Sequence, residues 1–294
     1  KLDGGDGWDT VSYIQTYYDK SLKKGIVADL KKGTIKDPWG DTDTINNFES
    51  LVATVNKDKI VGSNQNDQIT GLKGADKING GGGNEDIANY IDDFEYGGKK
   101  GIKADLSKGS IRDPFGDVDK VKSIEFVRGT MQKDMFKGSK KADVFDGIGG
   151  KDKYDGGKGF DQLRFEANDW KGAKNGVIVD VSKGKVIDDG YGNTEKVKNI
   201  ESFTGSMFDD TFIGSKRDDE FKGQLGNDTM TGGKGADTFV FNPPPDSVNN
   251  HDTITDFNPG EGDSIVLWTQ DGFKGINGDS DGIDPDQFVA NAGG

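Results

Sequence analysis

Large apolar residues recur every nine positions in three stretches of the chain, and each follows an acidic residue by two places. Because side chains alternate between the two faces of a strand, each unit predicts a three-residue strand with one buried side chain. The six residues before each strand are rich in glycine, which predicts a tight turn. The apolar positions are Ile60, Ile69, Ile78, Ile87, Phe136, Phe145, Tyr154, Leu163, Phe212, Phe221, Met230 and Phe239.

Two such units, 18 residues in all, are expected to form one coil with two strands and two turns. Stacked coils would place the apolar residues in one internal ladder and the turns along two edges. We find no long apolar stripe with a period of 3.6 residues and therefore expect little helix. The pattern predicts an all-β, parallel β-roll or β-solenoid.

The three blocks themselves repeat every 76 residues, as the spacing of Glu85, Asp161 and Asp237 shows. One more step back reaches Asp9, so the chain is expected to begin in the last turn of an earlier block. We predict that residues 1–12 are that turn, and that 13–88, 89–164 and 165–240 are three repeats of spacer plus block. Residues 241–294 are predicted to be a C-terminal β cap.

The spacers are copies of one another. Residues 25–51 match residues 101–127 at the 76-residue offset, and residues 176–203 form a looser copy with local shifts. Their apolar and polar residues alternate, which predicts short strands, and the Pro- and Gly-containing stretches between them predict turns. Trp39 and Phe115 occupy the same spacer position; we expect them to fill the hairpin tip, with stacking on sugars as the alternative.

Charge and composition favour cations as partners. The chain carries 52 acidic against 38 basic residues, for a net charge of −14, which excludes phosphate-driven nucleic-acid binding. Only 31% of the residues are hydrophobic, so without counter-ions the chain is expected to be disordered. It has no cysteine to form disulfides, and no apolar run approaches the ~18 residues of a membrane span.

The acids of the nine-residue units are candidate metal ligands. Acids 18 residues apart would lie on neighbouring coils, ~4.8 Å apart, where they repel unless a cation neutralises them. Calcium accepts six to eight oxygen ligands in flexible geometry, whereas magnesium demands a strict octahedron. Zinc and copper lack their ligands, since His251 is the only histidine. The predicted ligands of several Ca²⁺ ions are Asp9, Asp58, Asp67, Asp76, Glu85, Asp134, Asp143, Asp152, Asp161, Asp210, Asp219, Asp228 and Asp237.

The spacer turns carry further acids, for which calcium binding competes with an ordinary solvated turn. In the first two spacers these are Asp37, Asp41, Asp43, Asp113, Asp117 and Asp119. The third copy has Asp188, Asn193 and Glu195 and is a weaker candidate.

The nine-residue units resemble those of the RTX (repeat-in-toxin) calcium-binding proteins, whose pattern is G-G-x-G-x-D-x-U-x. GGDGWDTVS (4–12), GGKGFDQLR (156–164) and GGKGADTFV (232–240) fit every position, whereas GSKKADVFD (138–146) lacks the second and fourth glycines. GGGGNEDIA (80–88) has Glu85 where aspartate belongs. The resemblance implies a right-handed parallel β-roll with calcium between adjacent turns.

The same resemblance implies type I secretion through an uncleaved C-terminal signal. Residues 236–267 look like the segment that closes RTX arrays. Both ends of the sequence suggest a piece of a longer polypeptide.

The sequence contains no nucleophile motif, phosphate-binding loop or zinc constellation, and we predict that it is not an enzyme. We expect an extracellular or cell-surface structural or adhesive protein, such as a surface-layer, matrix, filament or adhesin component, that folds on binding calcium. Self-association into a lattice or filament, or binding to polysaccharide, would suit that role. The alternative is the calcium-dependent secretion and folding module of an exported protease, lipase or glycanase.

Overall fold

The computed structural model describes residues 1–19, 21–168, 170–242 and 250–267, and within them the chain is almost entirely β-structure. The one α-helix of this part is α1 (Gln15–Tyr18), and 3₁₀ turns cover Leu30–Lys32, Asp93–Tyr96, Leu106–Lys108, Glu166–Asn168 and Val181–Lys183. In chain order the strands are β1 (Leu2–Asp3), β2 (Thr10–Ser12), β3 (Val27–Asp29), β4 (Thr34–Lys36), β5 (Thr42–Asn46), β6 (Ser50–Val52), β7 (Lys59–Val61), β8 (Gln68–Thr70), β9 (Lys77–Asn79), β10 (Ile87–Asn89), β11 (Lys103–Asp105), β12 (Ser110–Arg112), β13 (Val118–Lys122), β14 (Phe126–Arg128), β15 (Met135–Lys137), β16 (Val144–Asp146), β17 (Lys153–Asp155), β18 (Gln162–Arg164), β19 (Ile178–Asp180), β20 (Lys185–Asp188), β21 (Glu195–Lys198), β22 (Ser202–Thr204), β23 (Thr211–Ile213), β24 (Glu220–Lys222), β25 (Thr229–Thr231), β26 (Thr238–Phe241), β27 (Thr253–Ile254) and β28 (Ser264–Leu267).

The strands form two sheets, and the shorter one is a single parallel ladder. Its 11 strands follow the order β2-β6-β8-β10-β14-β16-β18-β22-β24-β26-β28. Within a block, paired residues lie one 18-residue coil apart, as Val144 with Gln162 in this sheet and Lys153 with Met135 in the other. The predicted coil of two strands and two turns is therefore confirmed.

The longer sheet has 17 strands and absorbs the spacers. Its pairings follow the order β1-β5-β4-β3-β7-β9-β13-β12-β11-β15-β17-β21-β20-β19-β23-β25-β27. Each spacer is an antiparallel meander of three strands, whose two outer strands pair in parallel with the coils on either side. The spacers consequently extend the parallel β-roll without interrupting it; its right-handedness stays a prediction.

One apolar cluster joins residues of both sheets. Eleven of the twelve predicted core positions are buried, and the exception is Ile87. There the neighbouring Ala88 is fully buried and pairs with Ile69. The turn before β10 is one residue longer than the nine-residue period allows, so Asp86 rather than Glu85 precedes the strand. The predicted positions of Glu85 and Ile87 were therefore one residue too early.

The glycines of the turns permit close stacking of the coils. At Gly159 the backbone has φ +130°, and a Cβ atom there would lie 2.3 Å from the carbonyl oxygen of Lys141 in the preceding coil. No side chain fits at that distance, so this fourth position of the unit requires glycine.

The C-terminal segment continues both sheets as far as the structure describes it. β27 pairs in parallel with β25, and β28 pairs in parallel with β26. Residues 243–249 and 268–294 of the predicted cap lie outside the described residues. The division of the chain into repeats at 12/13, 88/89 and 164/165 stays a prediction, since the sheets run through these points. No helix in the described segments is long and apolar enough to cross a membrane.

Truncation of a core aromatic residue tests the shared core. Phe221 is fully buried, and its ring centroid lies 5.4 Å from that of Phe212 and 6.0 Å from that of Phe203. We expect Phe221→Ala to lower the free energy of unfolding by about 3–5 kcal/mol in saturating calcium, measured by urea unfolding followed by circular dichroism. As a control, Phe160→Ala removes a ring that is 52% exposed and is expected to change it by less than about 0.5 kcal/mol. Equal losses in both variants would contradict the predicted core.

Candidate metal sites along the coil edges

Acidic residues form a row along each edge of the roll. Every strand of the 11-stranded sheet is immediately preceded by an acidic residue. We call these acids the short-sheet row. They are Asp9, Glu49, Asp67, Asp86, Glu125, Asp143, Asp161, Glu201, Asp219, Asp237 and Asp263. The long-sheet row lies at the start of parallel strands in the other sheet and contains Asp58, Asp76, Asp119, Asp134, Asp152, Glu195, Asp210, Asp228 and Asp252.

The carboxylates of neighbouring coils are held in register by the backbone. The N–H of Asp134 donates to Oδ1 of Asp152 at 2.8 Å, and the N–H of Asp143 donates to Oδ1 of Asp161 at 2.9 Å. Further pairs with the same geometry are Asp58 with Asp76, Asp67 with Asp86, Asp210 with Asp228, Asp219 with Asp237, Asp228 with Asp252 and Asp237 with Asp263. Each coil therefore presents one carboxylate to the next, as the 18-residue spacing predicts.

The second oxygen of several of these carboxylates is buried without a partner. This holds for Oδ2 of Asp76, Asp86, Asp161 and Asp228, each residue being at most 1% exposed. In the described residues, none of the aspartates in the two rows takes part in an ion pair. A buried carboxylate with neither a counter-charge nor a full set of hydrogen bonds is unfavourable by several kcal/mol.

The pKa values express the same imbalance. Desolvation, followed by repulsion from Asp58 and Asp119, raises the pKa of Asp76 to about 9. Desolvation, followed by the charge of Asp210, raises the pKa of Asp228 to about 9. The groups are thus in an environment that disfavours their charged form in the absence of a cation.

The donor set at these edges suits calcium. Backbone carbonyls lie in the narrow gaps between turns: a Cβ atom on Gly157 would lie 2.7 Å from the oxygen of Ser139 in the coil below. No three Asp, Glu, His or Cys side chains of the described residues converge as a metal cluster. A cation between turns would therefore be held by one or two carboxylates together with carbonyl oxygens, an all-oxygen set that calcium prefers.

Glu85 lies outside the short-sheet row. Its carboxylate forms an ion pair with the guanidinium of Arg164 at 2.6 Å, on the partly exposed face of the sheet. Asp86 takes the place in the row, accepting the N–H of Asp67 at 2.9 Å. The metal site predicted at Glu85 is therefore reassigned to Asp86, and the ligand roles of all these acids are proposals.

Besides Asp86, sequence reasoning missed five members of the rows, namely Glu49, Glu125, Glu201, Asp252 and Asp263. The three glutamates lie 18 residues before Asp67, Asp143 and Asp219, and each is followed two places later by an apolar residue. Extending the nine-residue period backwards by one unit from Asp58, Asp134 and Asp210 would have found them. Asp252 and Asp263 follow longer connections, and only the strand pairing places them in the rows.

The spacer acids have structural partners. Oδ1 of Asp113 accepts the N–H groups of Phe115, Gly116 and Asp117, and Asp37 holds the first spacer turn in the same way. Asp41 is exposed and Asp117 is half-buried in these turns.

Two of the remaining spacer acids accept a hydrogen bond from a tyrosine. In the third spacer, the acid that forms the turn lies one residue later than predicted. Asp43 and Asp119 accept the hydroxyl groups of Tyr13 and Tyr90, at 2.8 and 2.9 Å. In the third spacer Asp189 forms the turn, since its N–H donates to the carbonyl of Asn193. Asp189 is thus the counterpart of Asp113, and the prediction of Asp188 was one residue off.

The raised pKa values predict that the calcium-free chain is more stable in mild acid. In the folded chain the pKa of Asp58 and that of Asp119 are about 7, above the ordinary value near 4, so folding takes up protons. Stability without calcium is then greatest below about pH 4 and falls as the pH rises through 7 and, because of Asp76 and Asp228, towards 9. The β signal of the calcium-depleted chain in far-ultraviolet circular dichroism, recorded without denaturant at pH 5 and pH 8, measures this. A larger β signal at pH 8 than at pH 5 would show that the prediction is wrong.

Comparison with known proteins agrees with this geometry. The family model of the RTX calcium-binding nonapeptide repeat (4 copies) matches residues 53–85, 128–163 and 204–239, which are the three blocks without their spacers. No curated protein matches the chain. RTX nonapeptide repeats bind Ca²⁺ at multiple sites, and the matched segments contain most of the stacked carboxylates. These three segments are RTX calcium-binding nonapeptide repeats, and they indicate a calcium-binding repeat protein.

Proposed function

We propose that this chain is part of an extracellular structural or adhesive protein, a component of a surface layer, matrix or filament, which folds when it binds calcium after type I secretion. The observation that carries the proposal is the pair of rows of buried carboxylates along the edges of the roll. Their unpartnered oxygens make the folded chain depend on cations that are scarce inside a cell and abundant outside it.

The energetics support folding as a calcium-dependent step. Ordering a residue costs ~1–2 kcal/mol of conformational entropy, and a chain with 31% hydrophobic residues has a thin core to offset it. Calcium at 100 times the dissociation constant of a site adds ~2.7 kcal/mol for each site. Extracellular calcium modules have dissociation constants of ~10⁻⁴–10⁻³ M. Several sites in series are thus enough to decide whether the chain folds.

The continuity of the sheets supports a structural role. The 11 parallel strands of the shorter sheet follow one another through all three spacers, and at ~4.8 Å a strand they extend over roughly 50 Å. A secretion and folding module of an exported hydrolase requires calcium-dependent folding but no such extended ladder. We therefore favour the structural array over the hydrolase module, and the proposed role involves no catalysis.

An aromatic residue recurs at the tip of every spacer, as Trp39, Phe115 and Tyr191. In the third spacer the hydroxyl of Tyr191 donates to the carbonyl of Asn168, so this ring anchors the hairpin tip on the connector. That contact supports packing at the tip of the third spacer, whereas Trp39 in the first spacer is 59% exposed and leaves stacking on a polysaccharide open there. Self-association of the roll into a lattice or filament remains part of the proposal.

Removal of calcium tests the proposed function. We expect the far-ultraviolet circular dichroism of the chain at pH 7.5 to show a disordered chain in EGTA and a β signal after excess calcium is added. Magnesium at the same concentration serves as the control and is expected to restore little of the signal, because it demands a strict octahedral shell. A β signal that is the same in EGTA and in calcium would refute calcium-dependent folding.

A further inference from the structure

A group of buried acids lies in the second spacer, away from the places where nine-residue units contact one another. One of them, Asp93, was not among the predicted ligands; it begins the 3₁₀ turn of the connector that follows β10. Asp93 is 0% exposed, and neither of its carboxylate oxygens has a hydrogen-bond partner. A carboxylate buried in this manner is strongly unfavourable unless a counter-charge or a proton compensates it.

The packing of the connector places Asp93 against the spacer turn. The N–H groups of Lys99 and Lys100 donate to the carbonyl of Pro114, and a Cβ atom on Gly98 would lie 2.7 Å from Cβ of Pro114. Asp113 begins that turn, is 1% exposed, and has its Oδ2 buried without a partner. Two buried carboxylates with unused oxygens are therefore brought to the same interface between connector and turn.

Asp119 adds a third acid at this interface. It is 0% exposed, and its two oxygens accept the N–H of Asp76 and the hydroxyl of Tyr90. Burial, and next the negative charges of Asp113 and Asp119, raise the pKa of Asp93 well above its ordinary value. The three acids therefore act on one another electrostatically.

The third repeat provides an internal comparison. Asn168 occupies the place of Asp93: each N–H donates to the carbonyl three residues back, and each carbonyl accepts an N–H five residues ahead. The amide Nδ2 of Asn168 donates to the carbonyl of Asp189 at 2.8 Å. Oδ2 of Asp189 accepts Nδ2 of Asn193 at 3.0 Å, whereas Oδ2 of its counterpart Asp113 has no partner. A neutral amide thus satisfies Oδ2 of Asp189 in the third repeat, and the unpartnered oxygen that is left there is the uncharged Oδ1 of Asn168, whereas the second repeat leaves carboxylate oxygens without partners.

We propose that Asp93 and Asp113, with Asp119 beside them, bind one Ca²⁺ at the interface between the connector and the turn of the second spacer. No three of these carboxylates already converge on a metal position, so backbone carbonyls and water would complete the shell. Both oxygens of Asp93 and Oδ2 of Asp113 carry no hydrogen bond and are therefore available as ligands, while Oδ1 of Asp113 continues to hold the turn. This site is additional to those between nine-residue units and does not rest on the proposed function.

Calcium content measured after equilibrium dialysis tests the site. We expect Asp93→Asn, which reproduces the third repeat, to bind one calcium per chain fewer than the unmodified chain at saturating calcium. Glu95→Gln removes an exposed charge from the same connector and is expected to bind as many calcium ions as the unmodified chain. If Asp93→Asn retained the full calcium content, the proposal would be overturned, and Asp93 would be a buried protonated acid.

The reciprocal change keeps the test decisive if Asp93→Asn does not fold. Asn168→Asp combined with Asn193→Asp places the acids of the second repeat in the third, and we expect the folded variant to gain one calcium per chain. A folded variant without that gain would overturn the proposal. The difference in calcium content between variants reports this site alone. Circular dichroism in EGTA reports calcium-dependent folding, so the proposed site and the proposed function can be refuted independently of each other.

Discussion

The stacking of buried carboxylates, one coil apart, is the constraint on which the rest of the structure depends. Within the blocks, one aspartate accepts the backbone N–H of the aspartate in the coil below, as Asp152 does from Asp134 and Asp161 does from Asp143. This bond fixes the register of the coils and at the same time brings like charges together in a poorly hydrated edge. The geometry that aligns the core therefore also concentrates negative charge, which a bound cation or a proton has to offset.

The spacers preserve this constraint while changing the local chain path. Each meander returns the chain to the position at which the next coil continues both sheets, and each supplies a glutamate to the short-sheet row. In each repeat a tyrosine hydroxyl contacts a spacer acid, but the tyrosine does not always come from the same position. Tyr13 and Tyr90 donate to the spacer acids Asp43 and Asp119, whereas the third repeat has Phe165 at that place. There the hydroxyl of Tyr154, on a neighbouring coil, lies 3.4 Å from Glu195 instead.

Differences between copies also separate structural acids from candidate ligand acids. Where Asn168 and Asn193 are present, their amide groups donate to the turn, and the one unpartnered oxygen of Asn168 carries no charge. Where Asp93 and Asp117 take their places, both oxygens of Asp93 and Oδ2 of Asp113 are buried without a hydrogen-bond partner. Repeats with nearly the same backbone therefore differ in the number of charges they leave to a cation. With the site proposed at Asp93, such differences would let the number of bound calcium ions vary from repeat to repeat without a change of fold.

The amino-acid sequence by itself determined the coil, the buried apolar ladder and most of the acids at its edges, because a nine-residue period with glycine turns permits few other arrangements. It also indicated calcium, since the stacked acids offer oxygen ligands alone. Only the tertiary structure decided the register before β10, where one additional turn residue exchanges Glu85 for Asp86. It likewise placed Asp252 and Asp263 in the rows and Asp93 against Asp113. These contacts join segments whose separation follows no period, so their proximity depends on how the connectors pack, which local spacing does not encode.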